Sequence, residues 1–85
     1  MHEVPVWPSG VMSFDGRILE ITTGDGLRVH AGDIESLELG KPRMGRLNVK
    51  LAYKAGLSNN KTGAWVEEEH EAALHELIAA VTATS

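Results

Sequence analysis

Eighty-five residues are enough for one domain, and a chain of this size buries only roughly 60–65% of the surface its unfolded form exposes, so the core must be small. Hydrophobic residues make up 42% and charged residues 24%, with no cysteine, which excludes a disordered polar segment, a disulfide framework and a thiolate metal site. The formal net charge of −4 conceals a division: Lys41, Arg43, Arg46, Lys50, Lys54 and Lys61 lie in a stretch, 41–61, that has no carboxylate, giving +6 there and −10 over the rest.

Residues 1–9 carry prolines at positions 5 and 8 around Val6-Trp7. Proline cannot donate to a β-ladder, so this segment is expected to be an extended arm or an edge strand ahead of a single domain over 10–85. Residues 11–14 and 17–22 flank Asp15-Gly16 and read as a hairpin with a two-residue type I′ loop, positive φ at both loop residues accounting for the residue types. The turn Thr23-Gly24-Asp25-Gly26 leads into 27–30, where Leu27 and Val29 share one face and Arg28 and His30 the other. After a third turn at Ala31-Gly32-Asp33, Leu37 and Leu39 alternate within 34–39 but Ile34 is out of phase, which predicts a bulge near Glu35-Ser36.

Residues 40–45, with Lys41-Pro42-Arg43, are too rich in proline and glycine for a central strand. The cleanest alternation follows over 46–54: Leu47, Val49, Leu51 and Tyr53 on one face, and Arg46, Asn48, Lys50, Ala52 and Lys54 on the other. That pattern is a half-buried antiparallel strand. Residues 55–63 read as a polar loop and 64–66 as a short last strand. Leu74, Leu77, Ile78 and Val81 then recur at i, i+3, i+4, i+7 and predict an amphipathic helix over 68–83. Glu67, Glu68, Glu69 and Glu71 suit the positive end of its macrodipole, although no Ser, Thr, Asp or Asn stands at an obvious N-cap.

The fold class is therefore mainly β with one C-terminal α-helix. Six or seven short antiparallel strands before a terminal amphipathic helix resemble the pleckstrin-homology-like split barrel, whose helix closes one end. Other small barrels, SH3-like or OB-like, are the alternatives. Gly10-Val11-Met12-Ser13-Phe14-Asp15-Gly16-Arg17 followed by an apolar strand is similar to the opening of actinobacterial domains of that superfamily whose function is uncharacterised. The resemblance implies a bacterial pleckstrin-homology-like fold and hardly a function. Phosphoinositide-binding members carry several Lys and Arg around the first hairpin loop; here Arg17 stands alone, so phosphoinositide binding is not supported.

Candidate chemistry is sparse. His70 and His75 are five residues apart, about 140° around a helix, so the pair does not reproduce the i, i+4 spacing of a zinc helix. Gly24-Asp25-Gly26 precedes no helix and no Lys-Ser/Thr, which makes it a turn and not a phosphate cradle. Ser13, Ser36 and Ser58 have no histidine at an inferable triad position, so no catalytic residue, cofactor or metal is expected.

Six residues remain as interaction candidates: Trp7, Lys41, Arg43, Arg46, Lys50 and Lys54. Arg46, Lys50 and Lys54 fall on one strand face at intervals of about 13 Å, and pairing with Glu20, Glu35 or Glu38 is their ordinary expectation. Nucleic acid is disfavoured by the negative net charge and by the lack of interleaved exposed aromatics. Trp65 is expected in the core beside the helix start, while Trp7 either folds back on the domain or enters a partner interface. The expected function is a non-enzymatic binding or assembly module acting through protein or peptide contacts, with a homo-oligomer among its forms. The alternative is an anion or nucleic-acid binder using 41–54. With no signal-like stretch in 1–10 and no apolar run near the C-terminus longer than 77–81, the chain is expected to be cytoplasmic and without a transmembrane segment.

Overall fold

A computed structural model of the chain describes residues 2–7, 9–22 and 26–84. Seven strands form two antiparallel sheets, and one helix ends the chain. The first sheet has the order β1 (His2–Pro5), β2 (Val11–Phe14), β3 (Ile18–Ile21), β4 (Leu27–His30). The second has the order β5 (Ile34–Leu39), β6 (Arg46–Ala55), β7 (Ser58–Glu67). A short 3₁₀ turn, Ala31–Asp33, carries the chain from one sheet to the other. Among the described residues one backbone bridge joins the sheets, the Trp7 N–H donating to Trp65 O at 2.7 Å.

Of the two expectations for the N-terminus, residues 2–5 form the edge strand. Val4 pairs opposite Met12, and Val4 and Val6 are both buried, so the alternation that proline concealed is that of a strand with one apolar face. Alternation likewise buries Met12 and Phe14 of β2, Leu19 and Ile21 of β3, and Val29 of β4. The pairing of β5 with β6 shifts between Ile34 and Ser36, the bulge that the phase of Ile34 requires.

Two loops differ from the sequence reading. In the first hairpin Asp15 N–H donates to Ile18 O, so the loop residues are Gly16 and Arg17, and only Gly16 has positive φ, at 99°. Asp15 acts through its side chain: Oδ1 accepts from the N–H groups of Arg17 and Ile18, both at 2.8 Å. The segment 55–63 is not a loop beyond its first residues. Gly56 and Leu57 alone connect β6 to β7, with Gly56 at φ 64°, and ladder pairing runs unbroken from Ala55 opposite Ser58 to Arg46 opposite Glu67. The outer half of β7, residues 58–63, buries neither face, so it carries no hydrophobic alternation and is held by its backbone pairing. The turn at 23–26 falls, for residues 23–25, outside the described residues.

The helix α1 (Glu71–Thr84) follows a 3₁₀ turn, Glu68–His70. That turn replaces the missing side-chain cap: Glu71 N–H donates to Glu68 O, and Glu68 N–H donates to Gly45 O at 3.1 Å. Leu74, Leu77 and Val81 are fully buried and Ile78 partly so, against β1 and β2 on one side and β5 and β7 on the other. No helix among the described residues is long and apolar enough to cross a membrane.

Leu77 is completely enclosed, so Leu77→Ala should lower the unfolding free energy by about 2–5 kcal/mol in urea titration. Leu77→Asp, which places an unpaired carboxylate in the same site, should abolish the cooperative transition. The backbone N–H groups of Ile18 and Arg17 hold the Asp15 carboxyl below its ordinary value of 3.8. A carboxyl lowered on folding stabilises above its unfolded value and loses that contribution as the pH falls through the folded one. The stability advantage of the wild type over Asp15→Asn should therefore be present at neutral pH and shrink on acidification below 3.8, as thermal melts at stepped pH would show.

Candidate interaction surface

Three of the sequence candidates come together where the sheets meet. Trp7 follows β1 and bridges to Trp65, and the residue stays 43% exposed. The Arg46 guanidinium lies over that ring, 3.9 Å from its centroid. Such a stack contributes about 0.5–2 kcal/mol. Arg46 Nε is 3.9 Å from Glu67 Oε1, within ion-pair range but too far for a hydrogen bond, and it is buried without an acceptor. Arg46 is thus a braced side chain, committed to the ring and to the carboxylate opposite it in register.

The turn before β6 completes the surface. Arg43 and Arg46 exchange backbone hydrogen bonds of 2.8 and 3.0 Å, with Met44 at φ 54° and Gly45 at φ 77° between them. Positive φ at both central residues makes this a type I′ turn, the type expected at Asp15-Gly16. Methionine is an unfavourable occupant of the left-handed region, at roughly 1–2 kcal/mol, yet Met44 is 85% exposed and gains no burial there. The turn is fixed to the body of the domain by Gly45 O, which accepts from Glu68 at the foot of the helix. Trp7, Arg43, Met44, Arg46 and Trp65 line a shallow depression of about 210 Å³.

Trp65 is not in the core. Its neighbours Ala64 and Val66 are buried, so strict alternation turns Trp65 to the outer face of β7, where it is half-buried. That alternation was the signal that could have found it. Met44 offered less: only Gly45 marks the turn, and methionine is no turn former.

The other candidates lie elsewhere. Lys41 is exposed in the loop after β5 and does not line the depression. Lys50 and Lys54 stand on the outer face of β6 further towards the hairpin tip. Glu20 pairs with Arg28 at 3.2 Å on the first sheet, and Glu38, though opposite Lys50 in register, makes no ion pair with it within 4.0 Å. Among the described residues no ion pair within 4.0 Å includes Lys41, Arg43, Lys50, Lys54 or Lys61. His70 contacts Glu69 and His75 contacts Glu71, at 3.6 and 3.4 Å, as two separate surface pairs. Among the described residues no group of three His, Cys, Asp or Glu side chains converges.

No protein-family model matches the chain, and no curated protein matches it.

Asparagine tolerates the left-handed region and Met44 has no buried contact to lose, so Met44→Asn should raise stability by roughly 0.5–1 kcal/mol. A higher denaturant midpoint with an unchanged slope is the expected readout.

Proposed function

We propose that the domain is a non-enzymatic protein-binding module whose contact surface is the cluster of Trp7, Arg43, Met44, Arg46 and Trp65. The observation that carries this reading is Met44: a large apolar side chain held almost wholly in solvent, on a backbone conformation that disfavours it, beside a half-exposed tryptophan. Strain of this kind persists where the surroundings over-determine it and use it. Tryptophan and arginine are the residue types that dominate binding hot spots, and a guanidinium stacked on an indole presents both in one preset geometry. A protein or peptide partner, or a second copy of the chain, covers such a surface; a small polar substrate has no enclosed pocket here.

For the architecture we keep the pleckstrin-homology-like split barrel of a bacterial protein. It is supported by a four-stranded and a three-stranded antiparallel sheet in chain order, followed by a helix packed against both. A cytoplasmic location goes with the same reading.

The experiment is selection of peptides from a random library on the wild-type domain, followed by affinity measurement on Trp7→Ala and Met44→Asn. Selected peptides should bind both variants at least about tenfold more weakly while the variants melt cooperatively. Equal affinity for all three proteins would remove this surface from consideration. Light scattering decides the self-association form: a dimer that Trp7→Ala converts to a monomer supports it, and a monomeric wild type rules it out.

A further inference from the structure

The outer edge of the long strand β7, which meets Trp7 at Trp65, continues beyond that residue. Gly40 N–H donates to Asn48 O at 2.7 Å, so Asn48 turns its backbone groups towards β5. Its register partner Trp65 accordingly turns its own away from β6, where its carbonyl receives Trp7 N–H. Because the register is unbroken, Gly63, Lys61 and Asn59 have the same orientation. Their N–H and C=O groups point out of the sheet edge, and among the described residues no backbone hydrogen bond reaches them. All three residues are exposed.

The side chains beside this edge are basic. Lys61 stands opposite Ala52, and the positions diagonal to it on β6 are Lys50 and Lys54, all on the outer face. Lys50, Ala52, Lys61 and Ser36 border a shallow groove of about 330 Å³, open because Ala52 and Gly63 put little side chain between the lysines. None of the three lysines has a carboxylate within 4.0 Å among the described residues.

We infer that the outer edge of β7, residues 59–63, takes an extended acidic segment of a partner protein as an added strand, its carboxylates set against Lys61, Lys50 and Lys54. Main-chain hydrogen bonds to Asn59, Lys61 and Gly63 supply affinity, and alternate side chains of the incoming strand meet the basic face. Pairing by a second copy would set Lys50, Lys54 and Lys61 of both chains against one another, and like charges across a strand pair are destabilising. A nucleic acid would meet the lysines but leave the backbone edge unused. The site lies on the same edge of β7 as Trp65 but uses none of the cluster's residues, and its class of partner is the same.

The test is fluorescence anisotropy at low ionic strength with a labelled peptide of alternating glutamate and valine. Wild type should bind it, and Lys61→Glu should bind roughly tenfold more weakly. Asn59→Pro deletes an outward N–H that makes no bond to β6, so the hairpin survives, a thermal melt verifies it, and binding should fall by a similar factor. A peptide N-methylated on alternate amides should lose binding, and Trp7→Ala should keep it. The inference is overturned by no binding, by equal binding to Asn59→Pro, or by an oligonucleotide of equal charge binding as tightly. It is also overturned if Trp7→Ala alone loses the peptide, or if light scattering finds a wild-type dimer that Asn59→Pro dissolves.

Discussion

Neither sheet can bury its apolar face by itself, and one helix covers both. A three- or four-stranded sheet of short strands leaves one side in water unless another layer lies on it. Among the described residues a single backbone bridge joins the sheets, and Leu74, Leu77 and Val81 pack into the one core that both faces share. Burying three such side chains contributes at most about 1.5–3 kcal/mol each, a large part of a stability that is usually about 5–15 kcal/mol. The constraint fixes more than stability. A helix that must start against β7 and cross to β1 brings Glu68 over the turn at Gly45, and that contact fixes Met44 in place.

The candidate interaction surface follows from the same arrangement. Val4 and Val6 are drawn inward by alternation, which leaves Trp7 on the outer side just where the segment after β1 bridges to the second sheet. Trp65 is turned out by the burial of Ala64 and Val66. The two indoles thus mark the seam between the sheets, and Arg46, the first residue of β6, is placed by register to stack on one and face Glu67. Nothing in this cluster is required by the core. Met44 in particular contributes little to it, since its side chain stands in solvent and its backbone is strained.

What could be read in the sequence was whatever the core writes into it. β6 and the helix announce themselves because each buries one face, and the bulge in β5 is visible as a phase error in Ile34 against Leu37. The outer half of β7 was missed because no face of it is buried; a strand held by backbone pairing alone leaves no period in its side chains. Asp15 misled for a different reason. Its preference for turns is genuine, but it works by accepting two N–H groups and not by adopting positive φ. The type I′ turn lies instead at Met44-Gly45, where the first residue breaks the usual chemistry of the turn. The site was legible only in part: Trp7, Arg43 and Arg46 by residue type, Trp65 by the alternation of Ala64 and Val66 around it, and Met44 only once the backbone is known.

The charge division acquires a shape from this fold. The acid-free stretch 41–61 is the turn, β6 and the first part of β7, so the +6 it carries lies along one hairpin, while most carboxylates belong to the first sheet, β5 and the helix start. A net charge of −4 repels an approaching acidic chain on average, but the field close to the hairpin has the opposite sign. Beyond about 8–10 Å in salt both fields are largely screened, and nearer in the charge of the hairpin dominates. An acidic segment would therefore be drawn to the hairpin more than to the carboxylate-bearing first sheet, β5 or helix start. For the acidic strand inferred above, such a field would select orientation before contact, which a uniformly basic protein of the same affinity would not achieve.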